Sequence, residues 1–176
     1  MSAPRSLTPS SHAPTRTRAV QPYEHDTYKV RRKLRDPTVC PDCGAVFHKG
    51  RWTWRKRPAE AHVATCPACH RTRDKYPAGV VTLSGAFLVT HRREILGVAR
   101  NAEKQEKAEH PLSRIMRIEE GDTAVVISTT DTHLARRIGE VLHHAYEGDF
   151  KLTYSKSQQL VRVSWKREHE TRRGRP

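Results

Sequence analysis

Four cysteines in two tight pairs, Cys40-Pro41-Asp42-Cys43-Gly44 and Cys66-Pro67-Ala68-Cys69, constrain this chain more than any other feature. A Cys-x-x-Cys turn aims two thiolates at one point while its backbone N–H groups hydrogen-bond the sulfurs. Gly44 tolerates the backbone angles such a turn needs. Two of these knuckles supply Cys40, Cys43, Cys66 and Cys69 as the closed tetrahedral ligand set of a structural zinc ion, with no coordination position left to activate water. The 22 residues between Cys43 and Cys66 exceed the usual spacing and fit a ribbon carrying an inserted hairpin. Iron takes the same four thiolates, and Zn2+ is the expected occupant. A dithiol redox pair would need one such motif beside a βαβ pattern, which this chain lacks. Disulfides within the pairs would be reduced in a cytosol. His48 and His70 flank the knuckles, but four cysteines suffice, so both are read as peripheral.

Charge sets the class of partner. Lys and Arg number 33 against 19 Asp and Glu, a formal net charge of +14. Such a balance favours polyanions, because neutralising phosphates releases condensed counterions. No stretch approaches the ~20 apolar residues of a membrane helix, and no basic amphipathic helix stands out, so no membrane partner is expected. Residues 1–20 lack the apolar centre of a secretory signal, although their Arg/Ser-rich, acid-poor composition is shared with organelle transit peptides. With unbridged thiols and no signal, the expected location is cytoplasmic.

The chain divides by composition. Residues 1–36 carry Pro4, Pro9, Pro14 and Pro22 and the cationic run Lys29 to Arg35, too little apolar surface to offset ordering; a disordered basic arm is expected. Residues 37–78 are the expected zinc ribbon, 79–167 a small α+β domain and 168–176 a basic tail. In the third segment Val80–Leu83 reads as a strand. Ser84 is a candidate cap for a helix over 85–109, which ends before Pro111. Ile115, Met116 and Ile118, then Thr123–Ser128, read as strands around a Gly121-Asp122 turn. Thr130 or Asp131 caps a helix whose stripe is Leu134, Ile138, Val141, Leu142 and Ala145. Residues 150–154 and 161–165 alternate apolar and polar. The expected fold is therefore α+β: a zinc ribbon, then a small antiparallel sheet with two helices packed on one face.

Between the knuckles, Arg51, Trp52, Trp54, Arg55, Lys56 and Arg57 interleave rings and cations, the chemistry that stacks on bases and pairs with phosphates. The alternative is that Trp52 and Trp54 pack the ribbon's small core or dock it on the following unit. Arg71, Arg73 and Lys75 follow the second knuckle and supply further contacts or offset the thiolate charge. Arg162 and Lys166, with Lys151, Thr153 and Ser164, form a second cationic face on the last strands. No catalytic site is expected: there is no Gly-rich phosphate loop, nucleophile elbow or HExxH motif. Glu119, Glu120 and Asp122 are explained by a solvated turn, His110 by a helix C-terminus, and His143 and His144 point different ways on one helix.

The strings CPDCGAVFHKGRWTW, CPACHRTRDKYPAGVVTLSGAF, EHPLSRIM and TTDTHLARRIG, in this order from Val39 to Arg167, resemble a family of small, uncharacterised bacterial zinc-ribbon proteins. More distantly, paired knuckles before an α+β unit look like the N-terminal part of the large-ribosomal-subunit export adaptors of archaea and eukaryotes, which carry more cysteine pairs and later domains missing here. The resemblance implies a ribosome- or RNA-associated, non-catalytic role. The expected partner is therefore RNA or a ribosomal subunit, with a DNA-binding or transcription-regulatory adaptor as one alternative and an enzyme subunit as the other.

Overall fold

The computed structural model describes Tyr28, residues 34–155 and residues 160–168. The expected disordered arm and basic tail lie almost wholly outside the described residues. The structure is α+β, with two mixed sheets.

The first sheet holds β1 (Thr38–Val39), β2 (Val46–His48), β3 (Arg51–Thr53) and β4 (His62–Val63) in the order β3-β2-β1-β4. Strands β1, β2 and β3 pair antiparallel, whereas β4 lies parallel to β1. Lys49 (φ 48°) and Gly50 (φ 80°) close the β2–β3 hairpin, both in the left-handed region that a two-residue turn needs to match strand twist. The Asp36 carboxylate accepts the Lys49 N–H at 2.7 Å and His48 Nδ1–H at 2.8 Å. These bonds, the Lys49 one foremost, hold the Asp36 carboxyl below the usual carboxylate range.

Helix α1 (Pro67–Asp74) starts on the second knuckle, a helix that the reading of the knuckle as a metal turn passed over. The chain then forms β5 (Gly79–Ser84), α2 (Ala86–Glu109), β6 (Ile115–Glu120), β7 (Ala124–Thr129), α3 (Thr132–Tyr146), β8 (Asp149–Ser155) and β9 (Leu160–Lys166). The second sheet runs β6-β7-β5-β9-β8. The expectation of an antiparallel sheet is corrected here, because its central pair, β5 and β9, is parallel. Alternation marks strands that are half buried but not their partners, and β5 pairs with a strand some eighty residues later.

Alternation does select the buried face. Val81, Leu83, Val125, Ile127, Val161, Val163 and Trp165 pack with Leu134, Ile138 and Leu142 of α3 and with Ile95, Leu96 and Ala99 of α2. Gly139 allows α3 to lie close to the sheet, since a Cβ there would come within 2.5 Å of both Phe150 and Val163. Asp131, one of the two expected caps, accepts the Leu134 N–H on Oδ1 at 2.8 Å. Asp131→Ala should therefore cost about 1 kcal/mol, readable as a lower denaturation midpoint with an unchanged m-value; no change would remove the cap from the stability of α3. Ser84, the expected cap of α2, is instead the last residue of β5, and the cap position is Gly85 (φ 103°). The first N–H groups of α2 are satisfied by the chain beyond β9: Ala86 donates to the Glu168 carboxylate and Phe87 to the Arg167 carbonyl. Among the described residues, no helix is long and apolar enough to cross a membrane.

Candidate metal centre

The two knuckles meet because β1 and β4 run side by side in parallel and release the chain at the same end of the sheet. Cys40 follows β1 directly. Its N–H donates to the Ala45 carbonyl and its carbonyl accepts from Gly44, a turn closed by the left-handed backbone of Gly44 (φ 76°). Cys66 follows β4 and is the N-cap of α1, accepting the Cys69 N–H on its sulfur at 3.4 Å. Pro67 suits the first helical position, where its missing N–H costs nothing. Cys66 and Cys69 therefore sit at the positive end of α1, which favours thiolate.

One ligand atom from each of Cys40, Cys43, Cys66 and Cys69 lies within 4.8 Å of all the others. Zinc–sulfur bonds of about 2.3 Å in a tetrahedron set sulfurs about 3.8 Å apart, and Cys43 Sγ lies 3.8 Å from Cys66 Sγ. Cys40 and Cys66 are buried and Cys43 and Cys69 half-buried. The donor set fits a metal ion and forms no disulfide. His48, bonded to Asp36, and His70, exposed on α1, stay outside the cluster.

Every sulfur has an N–H donor. Cys40 accepts from the Cys66 backbone at 3.3 Å and Cys66 from Cys69. Cys43 accepts from the Ala45 N–H, and further donors come from a residue in the string EHPLSRIM to which the sequence assigned no role at the cysteines. Arg114, in the connection between α2 and β6, sends Nη2 to Cys43 Sγ at 3.1 Å and to Cys66 Sγ at 3.6 Å, and Nη1 to Cys69 Sγ at 3.4 Å. Burial pushes the Cys43 thiol up, but the Ala45 N–H and Arg114 outweigh it and bring it down to about 7. Burial and the neighbouring Cys43 and Cys40 sulfurs push the Cys66 thiol up, and burial also raises Cys69 against the pull of Arg114. Four sulfurs this close cannot all carry charge without a cation between them, and a bound metal removes that conflict by deprotonating them outright.

The expected nucleic-acid contacts separate into three groups. Arg51, Arg55, Lys56 and Arg57 are exposed on β3 and the loop after it. Arg55 and Lys56 line a groove of about 400 Å³ with Pro37, Val46, His48 and Pro58. Arg162 and Lys166 are exposed on β9, with Lys166 ion-paired to Glu168 at 2.6 Å. Arg73 is exposed and paired with Asp42 at 3.1 Å, and Lys75 is the exposed left-handed C-cap of α1. Arg71 is the exception: it is buried, donates to the Tyr76 carbonyl and stacks over the Tyr28 ring, so it belongs to packing rather than to a contact surface. Trp52 packs against the cysteine cluster and tilts onto Phe47, with ring centres 5.6 Å apart. Trp54 donates Nε1–H to the Lys107 carbonyl at 2.5 Å but keeps 42% of its surface exposed.

Compared with protein-family models, with curated proteins and with solved structures, the chain matches none.

Proposed function

We propose that this chain is a non-catalytic RNA-binding protein whose zinc ribbon, held by a structural Zn2+ on Cys40, Cys43, Cys66 and Cys69, presents a basic loop to structured RNA. The observation that carries the reading is the loop itself. Arg51, Arg55, Lys56 and Arg57 are exposed together, and none has a carboxylate partner among the described residues. Packing does not account for four such cations, whereas a phosphate backbone does. The groove beside them has an apolar floor of Pro37, Val46 and Pro58, which suits a base or ribose next to a phosphate held by Arg55 and Lys56. Exposed Trp54 adds a stacking surface at the start of the same loop. A four-thiolate ion is coordinatively closed and supplies folding energy, not catalysis. Ribosomal RNA or a ribosomal subunit is the partner class, on the resemblance of the paired knuckles to the ribosomal export adaptors. The cytoplasm is the corresponding location.

Replacing Arg55, Lys56 and Arg57 by Ala together should weaken RNA binding and reduce the slope of log K against log salt by about 2–3. Fluorescence anisotropy over a salt series measures both. Unchanged affinity and slope would move the interface off this loop. Crosslinking in cells with sequencing of the attached nucleic acid tests the partner: reads concentrated on one ribosomal RNA segment are expected. Reads on duplex DNA would replace the reading with that of a DNA-binding adaptor.

A further inference from the structure

We infer that Arg114 is the outer-shell residue of the four-cysteine centre, and that through it metal occupancy locks the cysteine module onto the connection between α2 and β6. The inference rests on the metal reading above and is independent of the RNA reading. Arg114 lies 45 residues beyond Cys69 in sequence, yet its guanidinium reaches the sulfurs of Cys43, Cys66 and Cys69. Those three thiolates make one face of the ligand set, and the guanidinium covers it.

Arg114 is held for this task by bonds that do not involve the cysteines. Nε donates to the Pro111 carbonyl at 2.6 Å, fixing the plane of the guanidinium. Its backbone N–H donates to Thr130 Oγ1 at 2.9 Å, and its carbonyl accepts the Thr130 N–H at 2.9 Å. The Thr130 hydroxyl donates in turn to the Leu112 carbonyl at 2.5 Å. Thr130 is buried just after β7, so the second sheet sets where the guanidinium points. A planar fork with fixed donors is what three separated sulfurs require; a lysine ammonium offers a single point charge.

The same stretch of chain touches the cysteine module twice more. Leu112 packs against Cys40, Cys66 and Ala68, and the Lys107 carbonyl accepts the Trp54 indole N–H. Residues 107–114 thus carry an apolar contact, a hydrogen bond and a charge to the module. Only the charge depends on the metal. A tetrathiolate centre is net negative, and a half-buried guanidinium beside it answers that charge in a site of lowered dielectric. Because occupancy favours the docked arrangement, docking favours occupancy by the same factor.

The test uses the full chain, with Arg114→Gln and Arg114→Lys, titrated with Co2+ and then Zn2+. Arg114→Gln should bind Co2+ about 10–100-fold more weakly. Its thiolate-to-cobalt charge-transfer band should also move to lower energy, because the sulfur lone pairs lose their N–H donors. Arg114→Lys keeps the charge without the fork and should fall between the two; it carries the test if the glutamine variant does not fold. In hydrogen exchange, zinc should slow residues 107–114 in the wild type but not in Arg114→Gln, while the knuckles stay protected in both. A glutamine variant with wild-type affinity, an unmoved band and zinc-dependent protection of 107–114 would overturn the inference. A wild-type chain that takes up neither ion would overturn the metal reading, and this inference with it.

Discussion

Cys66→Ser should abolish metal retention and unfold the first sheet together with α1, while the second sheet stays folded. Serine is a good N-cap, so the substitution preserves the capping role of Cys66 at α1 and removes only the thiolate. The affected region has little else to hold it. Its strands are two or three residues long, and its buried cluster is Cys40, Cys66 and Ala68 with half-buried Cys43, Trp52, Cys69 and Leu112 around it. Apolar burial on that scale does not offset the entropy of ordering the chain. Structural zinc contributes on the order of 10–16 kcal/mol of apparent binding energy in small modules, and an ion held by these four cysteines would supply that energy as folding energy. Metal content by mass spectrometry and hydrogen exchange over residues 38–74 are the measurements. Loss of zinc with fast exchange in that window, and slow exchange persisting over residues 79–106, 115–155 and 160–166, is the expected pair of results. Chelation of the wild type should reproduce it. A serine variant that keeps stoichiometric zinc and unchanged protection would remove Cys66 from the ligand set.

Trp165→Ala should have the largest effect on the other half of the molecule. Trp165 is fully buried in β9, and its indole N–H donates to the Glu147 carbonyl at 2.7 Å, at the residue that caps α3 with φ 60°. Truncation opens a cavity between the sheet and α3, and it also leaves that carbonyl without its donor. A buried Trp→Ala change costs about 3–5 kcal/mol, and for a cooperative unit the size of the second one each kcal/mol moves Tm by roughly 4–8 °C. A fall in Tm of about 10 °C or more is expected by calorimetry on the zinc-loaded protein. A shift below ~2 °C would mean that the site collapses around the deletion or that the sheet is not the cooperative core. Metal stoichiometry should not change, which separates this variant from Cys66→Ser.

The periodic part of the second unit was legible in the sequence because a sheet with one covered face writes itself as alternation. Val161, Val163 and Trp165 are buried while Arg162 and Ser164 between them are exposed, as the strand pattern requires. The stripe of α3 was readable for the same reason at period 3.6, with Leu134, Ile138 and Leu142 buried and Val141 half-buried, although Ala145 of the expected stripe is exposed. What the pattern did not carry was pairing. The parallel contact of β5 with β9 joins two segments whose own residues say only that each is half buried. The helix α2 lies where its periodicity placed it, but its cap falls at Gly85 rather than Ser84, since its first N–H groups are satisfied by Arg167 and Glu168 from beyond the last strand.

The candidate site divides along the same line. Cys40, Cys43, Cys66 and Cys69 announce themselves because each pair is a local device: two thiolates on one tight turn have few other uses, and spacing alone exposes them. Arg71 looked like Arg73, two residues on in α1; one is buried under Tyr28 and the other sits in solvent paired to Asp42. Helical phase separates them, and without the helix there is no phase to read. Arg114 falls within the string EHPLSRIM, but nothing local ties it to the cysteines, since it is one of many basic residues in a basic chain. Local chemistry therefore specifies the ligands, the helices and the strand faces, because those depend on residues within a turn or two of one another. The tertiary structure decides strand partners, which cations remain available to a partner, and which guanidinium completes the thiolate centre, because those depend on distances between residues that the chain itself keeps far apart.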